Sequence, residues 1–405
     1  MINACVIGLG LRGISLLKHV LTRIDELKIT CVCDQYEDRV DHGLKILEEA
    51  GQKAKGFTDW KEALEEDGIN AVFIFSSWDA HATMAIYAMR KGIAVACEVG
   101  GEYSVESCFE LVKTQEETGT PYMFMENCCW GKDELLATSM ARKNVFGTIV
   151  HCSGSYSHDL RNEISYGHVT RHYRFDNYLN RCCDNYPTHD LGPIAKLLDI
   201  NRGNRILTVS SFATKAAGLE EYIKSRTDAT EEMKNARFKQ GDIITTVLTC
   251  ANGETIILRL DTTLPRSYCR DFTVRGTKGM YMQDTNTVFL DGDPEFFEPT
   301  EYYKQAFNNG VKYEAEYLPA FLKNMSSEDK ASGHGGMDWL TYNAFVSALI
   351  DGSEMPIDIY DAATWQAVTV LSEMSIQQGG MPQEMPDFTG GKWADRPRKD
   401  VCDFS

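Results

Sequence analysis

Gly8, Gly10 and Gly13 stand in the spacing G-x-G-x-x-G, directly after the apolar run Ala4–Ile7 and directly before an amphipathic stretch that opens at Leu11. In that setting each glycine has its own task. Gly8 permits a tight turn, Gly10 lets backbone approach a diphosphate, and Gly13 lets a helix pack closely on a strand. Asp34 closes the next apolar run about 20 residues beyond Gly13, where an acid binds ribose hydroxyls and repels a 2′-phosphate. The pattern predicts a dinucleotide site and favours NAD over NADP.

A second group of chemically capable residues lies farther along. Tyr186-Pro187-Thr188-His189 follows a run holding Arg171, His172, Arg174 and Arg181, a concentration of positive charge in an acidic chain. Such a cluster suits a site where negative charge develops; the plainer reading is a helix started by Pro187 with His189 in its first turn. Tyr268 sits between Arg266 and Arg270, and neighbouring cations would lower a phenol from its usual value near ~10; it could equally be a strand aromatic. Trp78-Asp79-Ala80-His81 and Glu98 each follow an apolar run, at the strand ends where ligands collect in parallel sheets. Asp79 alone could mark a helix start. His334-Gly335-Gly336 reads as a flexible loop before a helix from Met337, with His334 a further candidate. Cys31-Val32-Cys33 lacks a second ligand pair, so no metal site is expected.

The elements that must hold these residues alternate at first. Strand patterns at Ala4–Ile7, Ile29–Cys33, Ala71–Phe75, Ile93–Cys97 and Tyr122–Met125 are separated by helical patterns at Leu11–Leu27, Glu37–Ala50, Trp60–Glu66, Ala80–Lys91 and Val105–Thr118. That alternation implies a Rossmann-type parallel sheet covered by helices. After a helix at Asp133–Lys143, strand patterns dominate: Thr148–Tyr156, Arg205–Ala213, Ile243–Cys250, Thr255–Asp261 and Phe272–Arg275. Asn252-Gly253 between two of them reads as a hairpin turn, making the sheet at least partly antiparallel. Asp228–Gln240 reads as an exposed helix or loop, and Gly379 onward as a surface tail. The expected fold is therefore α/β: an N-terminal dinucleotide-binding domain over 1–128 and a C-terminal α+β domain over 129–405, built on a largely antiparallel open sheet.

With 405 residues, 41 basic and 59 acidic side chains, the formal charge is -18, which opposes nucleic acids and anionic membranes. Apolar runs such as Ala71–Phe75 fall far short of the ~20 residues of a membrane span. The thirteen cysteines are odd in number and include the adjacent pairs Cys128-Cys129 and Cys182-Cys183, which suits reduced thiols better than a disulfide framework. No secretory signal is read at Met1, and the cytoplasm is the expected compartment. A homo-oligomer is expected, because an open sheet without covering helices between Thr148 and Arg275 must hide one face.

Several segments, in order, resemble the Gfo/Idh/MocA oxidoreductases and more narrowly glycoside hydrolase family 109, NAD-dependent α-N-acetylgalactosaminidases. They are Trp78-Asp79-Ala80-His81, Glu98-Val99, Asn127, the run Tyr186 to Pro193, Asp261-Thr262-Thr263 with Arg266 and Tyr268, and His334 to Asp338. The resemblance implies that Leu11, Arg12, Asp34, Trp78, His81, Glu98, Val99 and Asn127 line NAD. It implies that Tyr156, Arg174, Tyr186, Pro187, Thr188, His189 and Tyr268 face a small-molecule glycoside, with His334 a candidate. The chain departs from the pattern at three places: Val99 replaces the lysine of the dehydrogenases' Glu-Lys-Pro, Asn185 replaces an Asp four residues before the histidine, and Gly100-Gly101-Glu102 replaces a small apolar run. The implied reaction is glycoside cleavage through transient oxidation at sugar C3, elimination across C1–C2, water addition and re-reduction, with NAD recycled. His189 would serve the 3-hydroxyl, Tyr268 or Tyr156 the C2 proton, and Arg174 the developing charge. The alternatives are a sugar or glycoside 3-dehydrogenase and a ligand sensor that keeps the nucleotide fold.

Overall fold

A computed structural model describes residues 1–404 and divides the chain into two compact units, Met1–Trp130 with Met325–Thr364, and Gly131–Asn324 with Trp365–Ser405. In the first unit the strands are β1 (Ile2–Ile7), β2 (Leu27–Cys33), β3 (Lys55–Phe57), β4 (Ala71–Ile74), β5 (Ala94–Cys97) and β6 (Tyr122–Phe124). They form one sheet in the order β3-β2-β1-β4-β5-β6, every pair parallel. All residues of β4 and β5 are buried, as a parallel sheet covered on both faces requires.

The glycine turn is built by steric exclusion. Gly8 has φ +96°, and a Cβ there would lie 2.5 Å from the Phe75 carbonyl carbon, while a Cβ on Gly13 would lie 2.0 Å from the Gly8 carbonyl oxygen. Helix Leu11–His19 can approach β1 only because both side chains are missing. Gly10 differs: a Cβ there meets only Arg39 Nη1, at 3.8 Å. That opening is where a diphosphate would need backbone access.

The second unit holds β7 (Ile149–Ser157), β8 (Ile206–Ala213), β9 (Ile243–Cys250), β10 (Thr255–Asp261), β11 (Thr273–Gly276), β12 (Gly279–Met282), β13 (Thr287–Leu290) and β14 (Gln383–Glu384). Their order is β13-β12-β11-β7-β10-β9-β8-β14. Only β7 and β10 pair in parallel; the remaining pairs are antiparallel. The β9–β10 hairpin turns at Asn252-Gly253, with Gly253 at φ +96°. Side chains alternate: Ile244, Thr246, Leu248, Ile256, Leu258 and Leu260 are buried on one face, and Ile257 and Phe212 are exposed on the other. Helix Thr188–Leu197 covers β7 on the buried face, and Gly154 makes this possible, since a Cβ there would lie 2.8 Å from the Asp190 Cβ. The expected sheet without covering helices is corrected on that face, while the other stays open.

Other elements differ from expectation for local reasons. The helix from Leu11 ends at His19, and β2 already starts at Leu27. Strands β3, β12 and β13 have three or four residues each, too few for alternation to register. Within Asp228–Gln240 only Glu231–Asn235 is helical, capped by Thr230, and Gln240 is buried. The stretch after Gly379 is no loose tail: β14 pairs with β8, and Arg398 is bonded to Asp199 at 2.8 Å. No helix among the described residues is long and apolar enough to cross a membrane.

Gly13→Ala is expected to cost about 2–4 kcal/mol of unfolding free energy, because the added methyl collides with backbone. Gly10→Ala, with only an arginine tip nearby, should cost under about 1 kcal/mol. Urea unfolding of both proteins without nucleotide is the test, and equal losses would contradict the steric account.

Candidate active site

At the carboxyl ends of the parallel strands, Asp34 is buried and already tied to the glycine turn. Its Oδ2 accepts the Leu9 N–H at 2.8 Å and its Oδ1 accepts the Tyr36 N–H at 3.1 Å. Arg39 Nη1 stands 3.4 Å from Oδ2. Oδ1, which accepts from Tyr36 alone, keeps a lone pair for a hydroxyl. His81, 2% exposed, places Nε2 at 2.9 Å from the Ser76 carbonyl. A carbonyl can only accept, so Nε2 carries the proton and Nδ1 is bare. Burial pushes the imidazole pKa down, and the buried Nδ1 has no hydrogen-bond partner. A neutral acceptor aimed at no protein donor fits a ribose hydroxyl. Trp78 lies against Gly100, where a Cβ would come within 2.3 Å of its ring, which accounts for the glycine after Val99. Val99 is buried and Leu11 is 73% exposed. Arg12 and Asn127 both bond Asp338, and Arg12 also bonds Glu98. The open space at Gly10 and the orphaned His81 nitrogen together fit a dinucleotide.

In the second unit the sequence-read residues meet as an aromatic cluster. Tyr156 lies 4.6 Å from Tyr186 and 5.3 Å from His189 between ring centroids, and Tyr186 lies 4.8 Å from His189. Pro187 precedes helix Thr188–Leu197, so the helix start and the site are one feature. Arg174, buried, has its guanidinium carbon 5.1 Å from the Tyr186 ring and its Nε 3.2 Å from Glu163. Burial works against that charge, but Glu163 and the surrounding phenols outweigh it and push the pKa up. Of the rest of the basic run, Arg181 is paired with Glu373 at 2.7 Å. Thr188 is fully buried.

Tyr268 is 47% exposed, and the cations beside it are already engaged. Arg270 reaches Glu134 at 2.7 and 2.9 Å, and Arg266 reaches Asp261 at 2.7 Å. Arg270 Nη1 also donates to the Tyr268 hydroxyl at 3.4 Å, so a cation does stand at this phenol, its charge shared with Glu134. Sequence reasoning missed His158, whose ring lies 5.2 Å from Tyr268 and whose Nδ1 is 3.5 Å from the Tyr156 hydroxyl. Burial, helped by Arg174 and opposed by Glu163, pushes its pKa down and keeps a neutral imidazole between two phenols. The available signal was the two-residue repeat that puts His158 on the Tyr156 side of β7. His334 is placed in the first unit, with Nδ1 2.9 Å from Asp338 Oδ2. Cys269, Asp271 and Asp284 bring ligand-type atoms within 4.8 Å of one another. Burial and Asp284 push the Cys269 thiol up to about 12, and Asp271 is taken by Arg259 at 2.7 Å.

Asp184, two residues before Tyr186, is 1% exposed. Its Oδ2 accepts from the Thr246 hydroxyl at 3.1 Å, and its N–H donates to Ser372 Oγ at 2.8 Å. Burial pushes its carboxyl up to about 7, against the hydrogen bonds from Thr246 and the Tyr186 backbone. Asn185, next in sequence, donates to Gln240 at 3.3 Å.

Two family models match the chain: an oxidoreductase family with an NAD-binding Rossmann fold over residues 2–125, and the glycosyl hydrolase 109 C-terminal domain over residues 130–395. A glycosyl hydrolase family 109 protein of Stenotrophomonas maltophilia (strain K279a) is 38% identical, covering 98% of this chain and 90% of its own length. An alpha-N-acetylgalactosaminidase of Tannerella forsythia is 33% identical, with 98% and 88% covered. Among solved structures, a levoglucosan dehydrogenase in complex with NADH and levoglucosan has a TM-score of 0.70 at 15% identity, covering 95% of this chain and 100% of that one. A scyllo-inositol dehydrogenase of Lactobacillus casei with bound NAD(H) and scyllo-inositol has a TM-score of 0.65 at 12% identity, with 95% and 99% covered. At such identity the likeness is one of fold.

Native Asp184 keeps its proton to about pH 7, whereas an unfolded aspartate loses it near ~4. Its contribution to stability is therefore full below ~4 and is lost as pH rises through about 7. Asp184→Asn cannot ionise. Between pH 5 and pH 7 the parent protein should lose on the order of 2 kcal/mol more unfolding free energy than the variant; parallel urea curves at the two pH values would contradict this.

Proposed function

The chain belongs to the glycosyl hydrolase 109 family, and from that premise we propose that it is an NAD-dependent glycosidase acting on a small glycoside. The observation that carries the reading is the pairing, on one chain, of a dinucleotide edge bearing an unpartnered buried His81 nitrogen with a cluster of phenols, imidazoles and an arginine. Ordinary glycosidases work with two carboxylates across the scissile bond. Here Glu163 is spent on Arg174. A net dehydrogenase is the second reading, and Val99 speaks against it: a buried valine cannot take a hydroxyl proton at the position where the dehydrogenases carry lysine. The relatives named alpha-N-acetylgalactosaminidase make an α-linked N-acetylgalactosaminide the first substrate to try.

Bound NAD supplies reversible hydride chemistry at sugar C3, and the ketone this creates acidifies the C2 proton, so the C1 substituent leaves by elimination before water adds. In this reading His189 holds the 3-hydroxyl proton. Tyr156 or Tyr268 receives the C2 proton, and the neutral His158 imidazole beside both phenols can relieve either of its own proton. Arg174 stabilises the enolate charge. Asp34 and the His81 Nδ1 hold ribose hydroxyls, and the backbone at Gly10 meets the diphosphate.

The chain is further proposed to act as a homo-oligomer in the cytoplasm. Thirteen free thiols suit a reducing compartment. The uncovered face of the eight-stranded sheet carries Phe212, 55% exposed, and Ile257, 38% exposed, and burying it against a second copy removes apolar surface from water. Light scattering at micromolar concentration should give at least a dimer. Phe212→Lys with Ile257→Lys should shift it toward monomer; an unchanged mass would count against this face.

The reaction itself is tested with chromogenic α- and β-glycosides. Turnover in D2O should place deuterium at C2 of the released sugar, with no NADH accumulating. A dehydrogenase would instead build up NADH in proportion to substrate and release no aglycone. Aglycone release at full rate from a substrate whose 3-hydroxyl is replaced by hydrogen would refute the redox mechanism.

A further inference from the structure

Asp338, second residue of helix Met337–Asp351, is 1% exposed and is the centre of a closed set of bonds. Its Oδ2 accepts from Arg12 Nη1 at 2.7 Å and faces His334 Nδ1 at 2.9 Å. Its Oδ1 accepts from Arg12 Nη2 at 2.8 Å and from Asn127 Nδ2 at 2.7 Å. Arg12 Nη2 also donates to Glu98 Oε1 at 2.9 Å, and the same oxygen accepts the Tyr342 hydroxyl at 2.7 Å. Burial alone would raise the Asp338 carboxyl, but the bonds from Arg12 and His334 outweigh it and hold the carboxyl well below the usual range. Backbone closes over the group: a Cβ on Gly333 would lie 2.4 Å from Asp338 Oδ2.

The three tethered residues come from separate places on the nucleotide edge. Arg12 lies in the first turn after the glycine turn, Glu98 just beyond β5, and Asn127 just beyond β6. A single carboxylate from the returning segment Met325–Thr364 therefore bonds the edge directly at Arg12 and Asn127 and reaches Glu98 through Arg12. Arg12 is the telling case. An arginine beside a diphosphate turn would ordinarily be free to swing onto the phosphates, yet here both terminal nitrogens are committed to carboxylates in a two-pronged pairing, the strong form of such contacts.

We propose that Asp338 is a positioning residue for the dinucleotide, holding Arg12, and through it Glu98, in the geometry that receives NAD, so that the phosphates are met by backbone N–H groups and not by the Arg12 side chain. This rests on the cofactor reading above. Preorganisation of this kind raises affinity by removing the ordering cost from the binding step.

The test is calorimetric titration of NAD into protein stripped of nucleotide, for the parent chain, Asp338→Asn, Arg12→Lys and the double variant. Arg12→Lys keeps the charge and removes the fork, so it separates geometry from charge. Each single variant should bind NAD about tenfold more weakly, and the double variant within about twofold of the weaker single, because both changes break one device. Asp338→Asn binding within twofold of the parent, or effects that multiply to about a hundredfold, would overturn the proposal. A purely structural role would lower the melting temperature and leave the NAD dissociation constant unchanged. If Asp338→Asn does not fold, Arg12→Lys decides alone, and an unchanged constant there refutes the inference. A parent protein that binds no NAD would instead overturn the cofactor reading.

Discussion

The approach of helix Thr188–Leu197 to strand β7 is the constraint on which the second unit turns. Residue 154 faces the helix, and any side chain there would strike the Asp190 Cβ. With glycine, the helix start drops onto the strand, and Tyr186 and His189 come into ring contact with Tyr156. The helix start, often a solvated feature, becomes the wall of a site. Its N-terminal dipole then lies beside the same phenols and imidazoles, favouring any negative charge that forms there.

Both units use one electrostatic device: arginines at the sites are matched to carboxylates. Arg174 is matched to Glu163, Arg270 to Glu134, Arg266 to Asp261, and Arg12 to Asp338 and Glu98. Unmatched buried charge is costly, so a chain of formal charge -18 gains from spending acids this way. Beside these pairs in the second unit stand the phenols and imidazoles of the aromatic cluster. His158 and, in the first unit, His81 are both pushed toward the neutral form mainly by burial. A neutral imidazole can accept a proton or a hydroxyl hydrogen bond at pH 7, which an imidazolium cannot.

Legibility in the sequence followed the range of the physical signal. The glycine spacing, the strand–helix rhythm up to residue 125 and the Asn252-Gly253 turn are local, and they reappear as β1, β2, β4, β5, β6 and the β9–β10 hairpin. Tyr156 was named by resemblance, Tyr186 and His189 also by the basic run before them, and their meeting depends on Gly154, a contact 36 residues from Asp190 in sequence that no periodicity announces. His158 fell just outside the strand pattern that stopped at Tyr156. The cations beside Tyr268 were visible as neighbours, but Glu134, which neutralises Arg270 from 136 residues away, was not. Asp338 was visible only as the end of a matched motif, because its partners lie 211 and 326 residues earlier.

Long sequence separation also bears on how the nucleotide edge is completed. The parallel sheet of the first unit is finished by residue 124, yet Glu98 lacks its phenol and Arg12 and Asn127 lack the Asp338 carboxylate until Met325–Thr364 returns. Loop closure over such a span costs entropy that grows only slowly with length, and the return segment offsets it with apolar burial: Phe73 meets Tyr342 at 5.8 Å and Phe345 at 5.5 Å between ring centroids. The same helix that buries those rings carries Asp338 and the Tyr342 hydroxyl at its polar end. Arg12 already has Glu98 within the first part of the chain, and the helix whose rings pack on Phe73 adds Asp338 and the Tyr342 hydroxyl.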